Sequence, residues 1–574
     1  TNPNQLVLTI IQKTDIAPPT VVTQDITVYL DPTGNVSITP AQIDNGTTDN
    51  VSTPANLAYM LDVTSFSCAD IGDNTVTLTV TDEAGNSANA SATVTVLGTD
   101  TTYTGGVWDN GAPNAGSNAI ITGLYDTASE GSINTCTCEV DASGNLTIAA
   151  NDYLFSANNI TVNGNLFIAH QGSVVQEYDF AQVIKTGTIQ VEVITPDLAS
   201  RDFMVMGSPM TAETRNDVFA SAFLVLNHNT LNFVPNPDVA IQFPMAENFA
   251  DDNYDNWNPY SGSINPGEGY IVRPQAGYGQ PGGIFTMTHQ LGTLNNGMVH
   301  FSILYNTPGP TPADNRNASP NVLANPYASA LDADAFLTAN TLFNEVYFWE
   351  HLTPPSPSLP GAGSMNFSME DISMYNLMGG TAAAADPSGI DTQPNGVIAT
   401  GQGFGIKATG AGTAVFNNSM RLTSGNTTLR NPLNKDRIWL KIQSTAYPLQ
   451  SNCLIGFSEI TTEGIDAGYD SNRLATVLSI YSGIEGEQVE LGIQSRELFE
   501  ESIMIPIGFS SLLNEVTSYK ISLSNIDSDL LSNTTIYLFD RYLNELTLLT
   551  DEAYGFESGP GNFPDRFQLL FEPE

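Results

Sequence analysis

The chain has 574 residues, with 61 Asp and Glu against 17 Lys and Arg, a formal net charge of −44. That balance excludes nucleic acid as a partner, because a phosphate backbone requires a basic face, and it disfavours an anionic membrane surface for the same reason. Apolar residues make up 41% of the chain, enough for real cores, and 48 glycines and 33 prolines spaced among short apolar runs point to an all-β chain of about three to five domains.

Taken in order, residues 1–14 read as the last strand of a preceding module, Leu6-Val7-Leu8-Thr9-Ile10-Ile11, followed by Pro18-Pro19. Residue 1 is Thr and no charged-then-apolar leader follows, so the expectation is a processed or cut chain, an excerpt of a tandem array. No apolar run approaches the roughly 18 residues needed to span a bilayer. Residues 15–99 alternate as strands do: Ile26, Val28 and Leu30 share one face, Val76, Leu78 and Val80 another, and Val94 and Val96 a third. Turns fall at Asp44-Asn45-Gly46 and Glu83-Ala84-Gly85-Asn86. This is an immunoglobulin-like sandwich.

Residues 100–184 change character. Gly144-Asn145-Leu146-Thr147-Ile148 recurs as Gly164-Asn165-Leu166-Phe167-Ile168, with Ile160-Thr161-Val162 and Val174-Val175 interleaved. Short strands with Asn-Gly corners at that period predict a β-solenoid-like segment, with two ordinary hairpins as the competing reading. Residues 185–431 carry a degenerate duplication. Gly207-Ser208-Pro209-Met210 parallels Ala324-Asn325-Pro326-Tyr327, and Gly267-Glu268-Gly269-Tyr270 parallels Gly401-Gln402-Gly403-Phe404. Two copies of one β-unit facing each other would bury both apolar faces, and 306–320 and 380–396 read as surface loops. Residues 432–574 read as a C-terminal β-sandwich, opening with Arg437-Ile438-Trp439-Leu440 and closing with Asp565-Arg566-Phe567.

The run Ser67-Cys68-Ala69-Asp70-Ile71-Gly72, followed by Thr75 to Asn86, resembles the hyalin-repeat type of immunoglobulin-like module, which recurs in bacterial surface proteins. Many such modules carry a second cysteine after a Thr-Asp-Asn run. Here Val51 follows Asn50, so the resemblance implies that Cys68 has no partner in its own module. Asn325-Pro326-Tyr327, Tyr347-Phe348-Trp349, Met374-Tyr375-Asn376, the segment Ile398 to Phe404 and Asp565-Arg566-Phe567 together resemble the region before the sorting domain in large secreted proteins of Bacteroidota. Such proteins leave the cell through the type IX secretion machinery. The resemblance covers about residues 100–574 and implies an extracellular or cell-surface location without implying an activity, since the region accompanies adhesins and enzymes alike.

The four cysteines, Cys68, Cys136, Cys138 and Cys453, are too few for a disulfide framework. Cys136 and Cys138 lie two apart on one face of an extended segment, poor geometry for a mutual bridge. The expectation is structural thiols, with any bridge joining partners distant in sequence.

Among candidate chemistries, Gly401-Gln402-Gly403-Phe404-Gly405 lacks the third glycine and the following helix of a dinucleotide loop, so it reads as a glycine-rich strand. No two of the five histidines are spaced for a helical zinc pair, and no Gly-x-Ser-x-Gly elbow exists. Glu350, between Trp349 and His351, is the best candidate for a glycosidase acid, against the plainer reading of a strand-end residue at a sheet rim. Calcium is the leading ligand expectation: Asp44 and Asp49 fall in one turn region, Asp82 in another, and Asp15 at a module junction, where a cation taking six to eight oxygens could stiffen a stalk. Asp251, Asn253 and Asp255 begin like an EF-hand loop but lack its Gly and bidentate Glu. The competing reading of all these is Asx turns that satisfy local backbone. Tyr254, Trp257 and Tyr260, interleaved with amides and acids, read as a glycan-binding platform or as a core plug under a loop. The functional expectation is a non-catalytic adhesin or fibre protein, with surface glycans or other cell-surface proteins as partners and self-association through tandem modules. A glycan-binding module is the alternative and a glycoside hydrolase the third choice.

Overall fold

A computed structural model describes residues 15–306, 319–426 and 436–572. The strand expected within 1–14 and most of the loop expected at 306–320 lie outside the described residues. The chain is all-β, and among the described residues no helix is long and apolar enough to cross a membrane.

Residues 15–97 form the immunoglobulin-like module. Its larger sheet orders Ile26–Tyr29, Ser87–Leu97, Gly72–Thr81 and Ala58–Leu61, and its smaller one pairs Asn35–Ser37 with Ser65–Ser67. The alternation read from the sequence decides the interior: Val76, Leu78, Val80, Val94 and Val96 are fully buried. Only Gly98 separates the last strand of this module from Thr99–Thr104, the first of the next.

The segment that follows is a three-faced parallel β-solenoid. Leu146 stacks on Leu166 and then Ile189 on one face, Cys138 on Ile160 and Val183 on a second, and Leu154 on Val174 on a third. The repeated Gly-Asn pairs have a steric cause. A Cβ on Gly164 would sit 2.2 Å from Gly144 O, and one on Gly187 would sit 1.9 Å from Gly164 O, so the corner stacks only as glycine. The neighbouring amides form a ladder, with Asn165 Nδ2 donating to Asn145 Oδ1 at 2.7 Å. The stack continues past the boundary expected at 184: Thr188–Ile194 is its last parallel strand, and Thr286–His289 caps it in antiparallel register. That boundary was invisible in the sequence because this last rung diverges from the Gly-Asn-Leu pattern.

The immunoglobulin-like module does not hang free on the solenoid. Cys68 is bonded to Cys136, and Asn158 Nδ2 donates to Cys68 O at 2.9 Å. Cys136 and Ala157 of the solenoid are buried within the core of the module. A Cβ on Gly116 would lie 1.9 Å from Asp31 O, so the two backbones meet there directly. Cys138 and Cys453 remain buried thiols, each pushed up to about 12 by burial.

Two facing sheets follow. The first orders Met204–Met206, Tyr270–Arg273, Leu224–His228 and Trp257–Pro259; the second orders Pro320–Ala324, Gly403–Lys407, Val346–Trp349, Ile372–Asn376 and Gly379–Thr381. The first four positions correspond one to one in chain order. The sheets meet through reciprocal contacts: Met206 bridges Gln402 and Leu323 bridges Glu268, with Gly207 N donating to Gly401 O at 2.9 Å and Ala324 N to Gly267 O at 3.0 Å. Each Gly-x-Gly pair has the same division of labour. Gly267 and Gly401 take positive φ (81° and 66°), and Gly269 and Gly403 let the opposing strand approach, since a Cβ would lie 2.5 Å from Leu323 O or 2.3 Å from Val205 Cγ1.

The C-terminal sandwich is one continuous eleven-stranded sheet folded over a core that includes Ile438, Phe509, Tyr519 and Phe567. Arg566 of the closing Asp-Arg-Phe run is buried, pairs with Asp540 at 2.9 Å and lies over the Phe556 ring at 4.4 Å. The sandwich shares a further core with the second facing sheet, where Met374 and Met378 pack among Trp439, Leu454 and Ile493.

The disulfide closes a long loop, so Cys136→Ser should cost about 2–4 kcal/mol in denaturant unfolding, and thiol titration of the denatured wild type should find Cys138 and Cys453 alone reactive. At the sheet crossing, Gly403→Ala should cost about 1–3 kcal/mol through overpacking. Gly410→Ala, whose Cβ would meet nothing closer than Leu342 Cδ2 at 3.8 Å, should leave the same transition nearly unchanged.

Candidate functional site

The facing sheets enclose a cleft of about 500 Å³, within the range of small-ligand sites. Aromatic residues of both halves line it: Phe203, just before a strand, and Trp257, at the start of one, from the first; Trp349, at the end of a strand, and the loop residue Phe367 from the second. Trp349 packs against Phe203 and Phe367 with ring centres 5.6 Å apart in each case, and Trp257 meets His228 edge-on at 4.8 Å. Tyr254 stands at the cleft with 73% of its surface exposed.

Polar groups in this lining are few. Burial pushes His228 down to about 4, so it is a neutral imidazole at neutral pH. Asp251 accepts from Asn256 Nδ2 at 2.9 Å, and burial raises its carboxyl above the ordinary range. Asn256 is almost fully buried, and its Oδ1 has no partner among the described residues; neither does the buried Trp349 Nε1. Arg273 lies over the Phe367 ring at 5.9 Å.

Of the three glycan candidates, the structure brings Tyr254 and Trp257 to the cleft. Tyr260 turns away: its ring packs on Tyr270 and its hydroxyl donates to Ser263 O. Phe203, Arg273, Trp349 and Phe367 were not legible as site residues, because nothing local marks which strand faces and which loop residues line a gap between two sheets. The duplicated Gly-x-Gly was the available signal, since it predicts where the halves cross.

Glu350 is not part of the cleft lining. Its neighbour Trp349 is, while Glu350 turns to accept from Ser373 Oγ at 2.9 Å. Burial pushes its carboxyl up to about 7 and that of Asp371 to about 6. Among the described residues Asp251 is the one carboxylate in the cleft lining, where glycoside hydrolysis uses two.

The calcium candidates divide. Asp15, Asp49 and Asp82 converge, with one ligand oxygen from each within 4.8 Å of the others, the one such group of three His, Cys, Asp or Glu side chains among the described residues. Asp15 Oδ2 and Asp49 Oδ1 are shielded from solvent and have no hydrogen-bond partner among the described residues, and Asn50 and Asn86 stand beside them. Carboxylates with amide neighbours are a hard-oxygen donor set suited to calcium. Asp44 is not in the group and caps its own turn, accepting from Thr47 N at 3.1 Å. Asp251, Asn253 and Asp255 do not converge either: Asn253 Oδ1 accepts from Asp255 N in an Asx turn, while Asp251 faces the cleft.

Fold and site together define a modular all-β chain with a cleft between duplicated sheets. The chain belongs to the family described as a domain of unknown function, DUF8693, whose model matches residues 100–571. The match runs from the solenoid to the last strand of the sandwich and leaves the immunoglobulin-like module outside. No curated protein and no solved structure matches the chain.

Two outcomes follow. Calcium held by Asp15, Asp49 and Asp82 should raise the unfolding temperature relative to chelator, by the equivalent of about 2.7 kcal/mol at a hundredfold excess over Kd, and Asp82→Asn should abolish the difference. Identical melting with calcium and chelator would leave the triad as a plain acidic cluster. Glu350 and Asp371 have folded-state pKa values above those of an unfolded chain, so the native state holds their protons longer. Stability should therefore fall as pH rises from about 4 to about 7, and Glu350→Gln should flatten that slope in urea titrations.

Proposed function

We propose that this chain is the non-catalytic, ligand-presenting part of a long extracellular surface protein, exported by type IX secretion. In this reading it serves adhesion, with the cleft between the duplicated sheets as its binding head. The observation that carries the reading is that cleft: aromatic walls from both halves and, among the described residues, a single carboxylate, Asp251, an arrangement suited to holding a ligand rather than hydrolysing it. The Cys68–Cys136 bridge supports an oxidising, extracytoplasmic setting, because such bonds do not persist in a reducing cytosol. The immunoglobulin-like module, joined by that bridge and by a shared core, serves as the upper end of a stalk, stiffened where Asp15, Asp49 and Asp82 meet. Surface glycans are the favoured partners, since sugar rings offer an apolar face to Trp257 and hydroxyls to the polar groups nearby.

The test is retention of the purified chain on immobilised glycans, together with labelling of producing cells by a membrane-impermeant reagent. Labelling of intact cells is expected. So is glycan retention that Trp257→Ala weakens at least about tenfold with the melting temperature unchanged. Turnover of a glycoside by the wild type that disappears in Glu350→Gln would overturn the reading.

A further inference from the structure

Most shielded basic groups of this acidic chain are completed by an ion pair or, as Arg421 and Arg215 are, by hydrogen bonds to amide and backbone oxygens; Arg273 has neither among the described residues. Arg437 pairs with Asp527, Arg473 with Glu490, Arg566 with Asp540 and Lys407 with Glu247. Arg273 enters none of the ion pairs among the described residues, although it is more than half shielded from water and lines the aromatic cleft. Asp202 acts on Arg273 through space, and both it and Asp251 of the cleft lining are otherwise engaged. Asp202 accepts from Ala199 N at 2.7 Å and lies 3.4 Å from His351 Nδ1, and Asp251 is held by Asn256. A guanidinium in such a place is costly unless something completes it. Two further groups in the same lining are incomplete: Asn256 Oδ1, an acceptor on a side chain 1% exposed, and Trp349 Nε1, a donor. Flat aromatic surface, one cationic fork, one free donor and one free acceptor together describe a ligand with an apolar ring face, a carboxylate and hydroxyls.

We propose that the cleft binds acidic saccharides, with the carboxylate of a uronic acid unit on Arg273, its ring face on the Trp349 and Trp257 walls, and its hydroxyls on Asn256 and the Trp349 indole. A planar guanidinium pairs a carboxylate through two parallel hydrogen bonds. It therefore supplies both the attraction and the discrimination against a neutral sugar of the same shape, which would leave the cation unpaired. The net charge of the chain repels anions in general, so a local cation inside an apolar cleft is what admits one and orients it. This assignment rests on the reading of the cleft as a glycan site and names the class of glycan.

The experiment is calorimetric titration of the whole chain with cellobiouronic acid and with cellobiose, its neutral counterpart. The expected result is a preference for the uronate of at least about tenfold that weakens with added salt. Arg273→Gln should bring the two affinities level, and Arg273→Lys, which keeps the charge without the planar fork, should retain part of the preference. Trp349→Phe should weaken both sugars together. Melting curves of the variants identify any that fails to fold, and the Lys variant then carries the comparison. Equal binding of the two sugars, a preference that survives Arg273→Gln in a folded protein, or no binding of the uronate would each overturn the assignment. Adhesion through neutral glycans would still stand in the first case, so failure of the ligand class is separable from failure of the adhesive reading.

Discussion

The constraint on which the rest of this molecule depends is the close crossing of two backbones where the facing sheets meet. Met206 lies against Gln402 and Leu323 against Glu268, at a separation that only glycine at Gly269 and Gly403 permits. Each half keeps its own apolar core, contrary to the expectation that the two copies would bury their apolar faces on each other, and the gap between the sheets beside the crossing becomes the cleft. A side chain at either glycine would push the sheets apart, changing the cleft width along with the stability of the pair. The aromatic walls owe their spacing to that contact, since Phe203 leads into one of the crossing strands and Trp349 ends the strand beside the other.

The same device, backbone meeting backbone where no Cβ intervenes, recurs at the joints. The solenoid corner stacks through Gly144, Gly164 and Gly187, and the immunoglobulin-like module meets the solenoid at Gly116. Around these points the cores are continuous rather than separate. Cys136 and Ala157 enter the core of the module, Met210 and Leu294 pack with the solenoid interior, and Met374 packs with the sandwich. A chain built this way transmits orientation along its length, because rotating one unit against the next would open a packed interior. That the family model spans 100–571 without a break accords with units that share cores.

Charge is arranged by the same logic. Acid is in large excess over the chain, while several of the scarce arginines lie inside. Arg473 and Arg566 each neutralise a buried carboxylate and lie over aromatic rings. Removing one partner would strand the other in a low-dielectric interior, which is why such pairs specify a single arrangement even where they add little net stability. Against that pattern Arg273, in an open cleft and without an ion pair among the described residues, has a different character, since solvent or a ligand can reach it.

By itself the sequence determined the all-β class, the inward faces of the immunoglobulin-like strands, the solenoid corners and the two matching Gly-x-Gly strands. Each of these is local: alternation at period two, or a glycine where the backbone must stack, is written in consecutive residues. It also held the acids that converge at Asp15, Asp49 and Asp82, but without the means to separate them from Asp44, which caps its own turn, or from Asp255, whose N–H donates to Asn253 Oδ1. Only the tertiary structure decided that Cys68 bonds to Cys136, that the solenoid runs on through Thr188–Ile194, that Glu350 turns away from the cleft while Trp349 lines it, and that Arg273 lies in the cleft with no ion pair among the described residues. These depend on contacts between residues far apart in the chain, and no local period encodes which of many acids, aromatics or cysteines will be brought face to face when separate sheets pack.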